Sequence, residues 1–81
     1  MPPLPAPDDV LDTGSEGCGD LIMRLFRRFR ALQPGQVIEV ISADPGAVED
    51  IPAWCRLQGH QLLHHEAADG RTRFLIRRGG A

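Results

Sequence analysis

The sequence predicts an α+β fold: a two-layer α/β sandwich in the order β-α-β-α-β-β, with two helices on one face of a four-stranded mixed sheet. Three observations carry this expectation. Leu21, Ile22, Leu25, Phe26, Phe29 and Leu32 recur at steps of one, three and four, the spacing of one helical face. Val37–Ala43 is a nearly continuous apolar run rich in β-branched residues, the mark of a central strand. Asp69-Gly70 separates two extended segments with the dipeptide favoured in tight hairpins.

Taken in order, residues 1–8 are proline-rich and read as a flexible tail, leaving residues 9–81 as a single domain. Val10–Thr13 reads as a short edge or parallel strand, and Gly14–Gly17 as a loop. The first helix is expected to start near Gly19 or Asp20, because an acidic first turn favours a helix start, and to run to about Leu32. Its opposite side carries Arg24, Arg27, Arg28 and Arg30. Gln33-Pro34-Gly35-Gln36 has strong turn chemistry. A strand, a helix and a second strand in this order predict a right-handed parallel βαβ unit.

Asp44-Pro45 reads as an N-cap followed by proline at the first helical position. The second helix places Val48, Ile51 and Cys55 on one face, with Trp54 and Leu57 nearby. Pro52 is expected to kink it or split it into two short turns, since its ring removes a backbone donor. Gly59 closes it. His60–Glu66 and Arg71–Arg77 form the final hairpin across Ala67–Gly70, and Gly79-Gly80-Ala81 is a frayed end. Both helices are amphipathic on one side only, so packing both on one sheet face is the simplest way to cover it.

Composition narrows the function. Eighty-one residues, 42% hydrophobic and 25% charged, make one small soluble domain with little room for an enclosed active site. No apolar run is long enough to cross a bilayer, and the first residues lack a basic and an apolar signal region, which places the protein in the cytoplasm. The net charge of −2 argues against direct nucleic-acid binding. The charge is nevertheless uneven. Asp8, Asp9, Asp12, Glu16 and Asp20 precede the first helix, and all nine basic residues, every one arginine, come later.

Cys18 is the first candidate for chemistry. At the start of a helix it meets the positive end of the dipole, which lowers a thiol's pKa and favours the thiolate nucleophile. Asp20 opposes this, because a nearby carboxylate disfavours a second negative charge. The bland alternative is a small residue buried in a turn. Cys55, on an apolar stripe beside Trp54, reads as inert core. On a strand, His60 and His64 would share a face and His65 would take the other. The three show no compact ligand spacing with Cys55, so one or two solvated strand histidines is the better account; no metal site is expected, and nothing calls for a cofactor. The arginine face is by default solvated, and Arg24, Arg27 and Arg28 are the candidates for a partner-docking surface.

The order of pieces is familiar. Leu11-Asp12, Gly17-Cys18 opening a helix, Gln33-Pro34-Gly35, Ala43-Asp44-Pro45, Asp50-Ile51-Pro52-Ala53-Trp54-Cys55, Gly59-His60 and Phe74–Gly79 together resemble the TusA-like (SirA-like) sulfur-carrier family over roughly residues 10–80. The resemblance implies that Cys18 receives a sulfane sulfur from a cysteine desulfurase or rhodanese-type donor; Gly19 and Asp20, which follow it in the first turn, are the candidate supporting residues. Cys18 would hold the sulfur as a persulfide and pass it to a downstream acceptor protein, for tRNA thiolation, cofactor sulfuration or sulfur metabolism. Such a protein is a sulfurtransferase-type relay rather than a self-sufficient enzyme. The family signature Cys-Pro-x-Pro reads Cys18-Gly19-Asp20-Leu21 here, so Gly19 restores an N–H donor where the family has proline. The competing reading is a non-catalytic protein- or nucleic-acid-binding regulatory module that uses the arginine face.

Overall fold

The computed structural model describes residues 3–14 and 18–80, with Cys18 described by its backbone alone. Its elements are β1 (Asp9–Gly14), α1 (Cys18–Ala31), β2 (Val37–Ser42), α2 (Ala47–Gln58), β3 (Gln61–Ala68) and β4 (Arg71–Arg77). The sheet order is β1-β2-β4-β3. β1 pairs parallel with β2, and β4 pairs antiparallel with both β2 and β3. The mixed sheet, the α+β class and the central position of β2 are as the sequence predicts.

The two helices share one sheet face. Leu11 of β1, Ile38 and Val40 of β2, and Phe74 and Ile76 of β4 form a single cluster with Leu21, Leu25 and Phe29 of α1 and with Ala47, Ile51, Trp54 and Cys55 of α2. Ile38 lies opposite Ile76 and Val40 opposite Phe74, so the in-facing positions of the two central strands coincide. Leu25 and Ile51 are fully buried, and truncating either to alanine should cost about 2–5 kcal/mol.

Several local expectations need correction. Phe26, placed on the buried face of α1 by periodicity, is 42% exposed, because the narrower stripe of Leu21, Leu25, Phe29 and Leu32 already fills the contact with the sheet. In α2, Val48 and Leu57 are exposed, and Ala47 takes the buried place at the start of the helix. The N-cap is Gly46 rather than Asp44; the Asp44 carbonyl instead accepts the Ala47 N–H in the turn before the helix. The helix continues through Pro52 as one element, not two turns. Pro52 is close to the N-terminus, so only the bond to the Val48 carbonyl is forfeited.

The turns follow their sequences closely. Gln33–Gln36 closes with a bond from the Gln36 N–H to the Gln33 carbonyl, and Gly35 takes φ 89, as the third position of a type II turn after proline requires. At the hairpin, Asp69 (φ 55) and Gly70 (φ 75) form a two-residue left-handed turn between the paired Ala68 and Arg71. β3 thus extends to Ala68, past the expected Glu66. It starts at Gln61 and carries a bulge between Leu62 and His64. His60 therefore lies outside the strand, and its expected sharing of a strand face with His64 does not hold. His64 and His65 are exposed on opposite sides of β3.

The other sheet face is polar and partly covered. Arg73 bonds Glu39 at 2.9 Å and Arg71 approaches Asp12 at 3.6 Å. Leu4, Pro5 and Pro7 line a depression there with Glu39, His64 and Leu75. Asp8 anchors this segment, donating its N–H to the Val37 carbonyl while its carboxylate accepts the Val37 N–H.

Candidate functional site

Parallel pairing of β1 and β2 carries the C-terminal ends of both strands to one end of the molecule, so α1 and α2 start there side by side. The exit from β1 is fixed by short polar contacts. The Asp12 carboxylate accepts the Gly14 N–H at 2.9 Å, and Gly14 turns the chain at φ 56. The Gly14 carbonyl accepts the Ala43 N–H at 2.7 Å, tying the two loops together. Beneath them, the buried Thr13 hydroxyl donates to the Ile41 carbonyl at 3.0 Å. The Ser42 hydroxyl accepts the Asp44 N–H at 3.1 Å on the way to α2.

α1 begins at Cys18 itself, one or two residues ahead of the expected start. Of the expected loop Gly14–Gly17, Gly14 ends β1 and residues 15–17 lie outside the described residues. Cys18 thus holds the first helical position, where backbone N–H groups have no acceptor within the helix. Gly19 and Asp20 follow it in the first turn, both exposed. Among the described residues, nothing lies within 4 Å of where a side chain at Gly19 would begin.

Cys55 presents the opposite environment. It is 1% exposed, within the core cluster. Burial pushes its thiol up to about 11, outweighing the opposing pull of the Arg56 charge. The protein has two cysteines, and this one is held as the neutral thiol at physiological pH.

The three candidate docking arginines come together in one hollow. Arg24, Arg27 and Arg28 line it with Leu11, between α1 and the edge strand β1. Arg28 is already engaged within the fold. Its guanidinium lies 3.0 Å from the Asp9 carboxylate and also donates to the Val10 carbonyl. Arg27 is exposed. At 1.5 Å per residue, Arg24 lies about 9 Å and Arg27 about 14 Å along the helix from Cys18. The end around Cys18 is by contrast acidic, with Asp20 in the first turn of α1 and Glu49 and Asp50 in the first turn of α2.

His60, expected from the sequence to lie in a strand, is instead packed outside it. Its ring lies 4.4 Å from Phe29 and 5.2 Å from Trp54, centroid to centroid, and its Nδ1 accepts the Gly79 N–H at 2.9 Å. Burial and the neighbouring Arg78 charge lower its pKa. No periodic signal marks this cluster, because it joins three elements at the far end of the helices. Among the described residues no three His, Cys, Asp or Glu side chains gather as a metal-binding group, and no helix is long and apolar enough to cross a membrane.

The parallel β1-α1-β2 unit, the hairpin and a cysteine at the first position of α1 are the arrangement implied by the resemblance drawn from the sequence. Residues 9–78 match the family model described as Sulfurtransferase TusA. That match covers nearly the whole domain, and the chain belongs to the TusA family of sulfur-carrying proteins.

Proposed function

We propose that this protein relays sulfane sulfur on Cys18. The observation that carries the reading is the family match over residues 9–78 together with the position of Cys18 at the start of α1. The Cys18 thiolate attacks the outer sulfur of a persulfide on a cysteine desulfurase or rhodanese-type donor. A new S–S bond forms to Cys18, the old one breaks, and the donor leaves as thiolate, so no external oxidant is consumed. An acceptor thiolate then attacks the outer sulfur of the Cys18 persulfide, and Cys18 is released as thiolate. The helix N-terminus and the Gly19 N–H support negative charge on sulfur at both stages. A reducing cytoplasm would keep both thiols reduced, with Cys18 as the one that reacts.

Partner choice rests on the two surfaces flanking Cys18. The acidic turn suits a basic rim on a partner, and the hollow with Arg24 and Arg27 suits an acidic one. The end product, whether thiolated tRNA or a sulfurated cofactor, belongs to the acceptor. The experiment is transfer of labelled sulfur from cysteine through a cysteine desulfurase. Label should appear on the protein, chase to an added acceptor thiol, and fail to load on Cys18→Ser. A Cys18→Ser variant that loads normally would refute the reading. Arg27→Glu should slow loading most at low salt, and a salt-independent rate equal to the parent's would remove the arginine surface from docking.

A further inference from the structure

We propose that the hollow between the C-terminal halves of α1 and α2 and the segment following β4 binds a small planar organic anion, at a site separate from Cys18. The hollow has a volume of about 200 Å³, room for a single-ring ligand rather than a larger one. Its aromatic side is built from Phe29 and Trp54, in edge-on contact at 5.0 Å, with His60 against both. Its polar side carries Arg30, Arg78 and Gln58, and among the described residues no acidic side chain lines it.

The donor set favours an anion. Arg30 sits over the Phe26 ring at 5.8 Å, and both side chains line the hollow. Arg78 lines the hollow, and its Nε is buried with no acceptor among the described residues, so a side-chain shift that offered Nε to a ligand oxygen would satisfy a donor that is otherwise costly to leave unmade. His60 accepts the Gly79 N–H at Nδ1, so the neutral imidazole carries its proton on Nε2 and adds a donor. Two guanidiniums beside aromatic rings match a carboxylate attached to a flat ring. Arg30 lies twelve residues beyond Cys18, about 18 Å along α1, so the ligand does not touch the sulfur.

Trp54 is the sole tryptophan and lines the hollow, so its fluorescence reads occupancy directly. Titration with benzoate should give a saturable change with a dissociation constant on the order of 1 mM, as expected for a ligand of this size. Benzamide, the neutral counterpart, should bind about tenfold more weakly, and Arg78→Gln and the exposed-side variant Arg30→Gln should each lose about tenfold in benzoate affinity. Cys18→Ser should bind benzoate as the parent does, which separates this site from sulfur relay. If Arg78→Gln fails to fold, Arg30→Gln carries the test. The proposal is overturned by a linear, unsaturable response, by equal affinity for benzamide, by inorganic phosphate binding as tightly as benzoate, or by parental affinity in the folded arginine variants.

Discussion

The Arg28 guanidinium lies 3.0 Å from the Asp9 carboxylate, closing α1 onto the edge strand β1 nineteen residues earlier in the chain. The same guanidinium donates to the Val10 carbonyl, occupying a backbone group on the strand's unpaired side. Both side chains are about a third to two-fifths exposed, so screening keeps the pair modest. A double-mutant cycle with Arg28→Gln and Asp9→Asn should give a coupling of about 0.5–1 kcal/mol by urea unfolding. Coupling indistinguishable from zero would show that the contact contributes only geometry.

The two thiols should differ sharply in reactivity. With its thiol pushed up to about 11, Cys55 is thiolate in only about one molecule in ten thousand at pH 7, and it is buried as well. Iodoacetamide at pH 7 should therefore alkylate Cys18 first, and reach Cys55 only under denaturing conditions. Peptide mapping that finds Cys55 modified first in the folded protein would contradict the assignment of the two cysteines.

Gly19 offers a test of the backbone N–H that follows Cys18. No described atom crowds its missing side chain, so Gly19→Ala should stabilise α1 by about 0.5–1 kcal/mol. Gly19→Pro fits the first helical turn equally well but removes the N–H. If that amide supports the thiolate, the Cys18 pKa, followed by thiolate absorbance in a Cys55→Ser background, should rise in Gly19→Pro and not in Gly19→Ala. Equal values in the two variants would take the Gly19 amide out of the mechanism.

His60 should make the fold weaker on acidification. Its folded-state pKa is lowered from 6.5, so the unfolded chain takes up a proton first as pH falls. The stability linked to the neutral ring is fully present above about 6.5 and is lost as pH falls through the lower folded value. Protonation at Nδ1 would also break the bond from the Gly79 N–H. His60→Asn keeps an acceptor without titrating, so its unfolding midpoint should fall less than the parent's between pH 7 and 5. Parallel pH profiles for the two proteins would assign the acid sensitivity to other groups.

The β-α-β-α-β-β order, the parallel first pair and both turns are legible in the sequence because each rests on local chemistry. Leu21-x3-Leu25-x3-Phe29 specifies a helix face, Pro34-Gly35 and Asp69-Gly70 specify their turns, and Val37–Ser42 specifies a strand covered on both sides. What the sequence hides depends on neighbours far off along the chain. Phe26 and Val48 sit at the margins of their helical faces, and only the width of the sheet decides that they stay outside. The placement of His60 comes with contacts far off along the chain: Gly79 donates to its Nδ1 and lies so close to Gly59 that an added Cβ on Gly79 would overlap the Gly59 carbonyl. Arg28 reads as part of a docking face, and its pairing with Asp9 emerges only when α1 folds back onto β1. At the candidate site, the residue type and helix position of Cys18 are readable, because a helix start is itself a local signal.

The central claim is tested most directly by intact mass after incubation with a cysteine desulfurase and cysteine in the absence of reductant. The account predicts a gain of one sulfur, about 32 Da, that reductant removes, that is absent in Cys18→Ser and that persists in Cys55→Ser. An adduct retained in Cys18→Ser, or no adduct with either desulfurase or rhodanese-type donors, would contradict it.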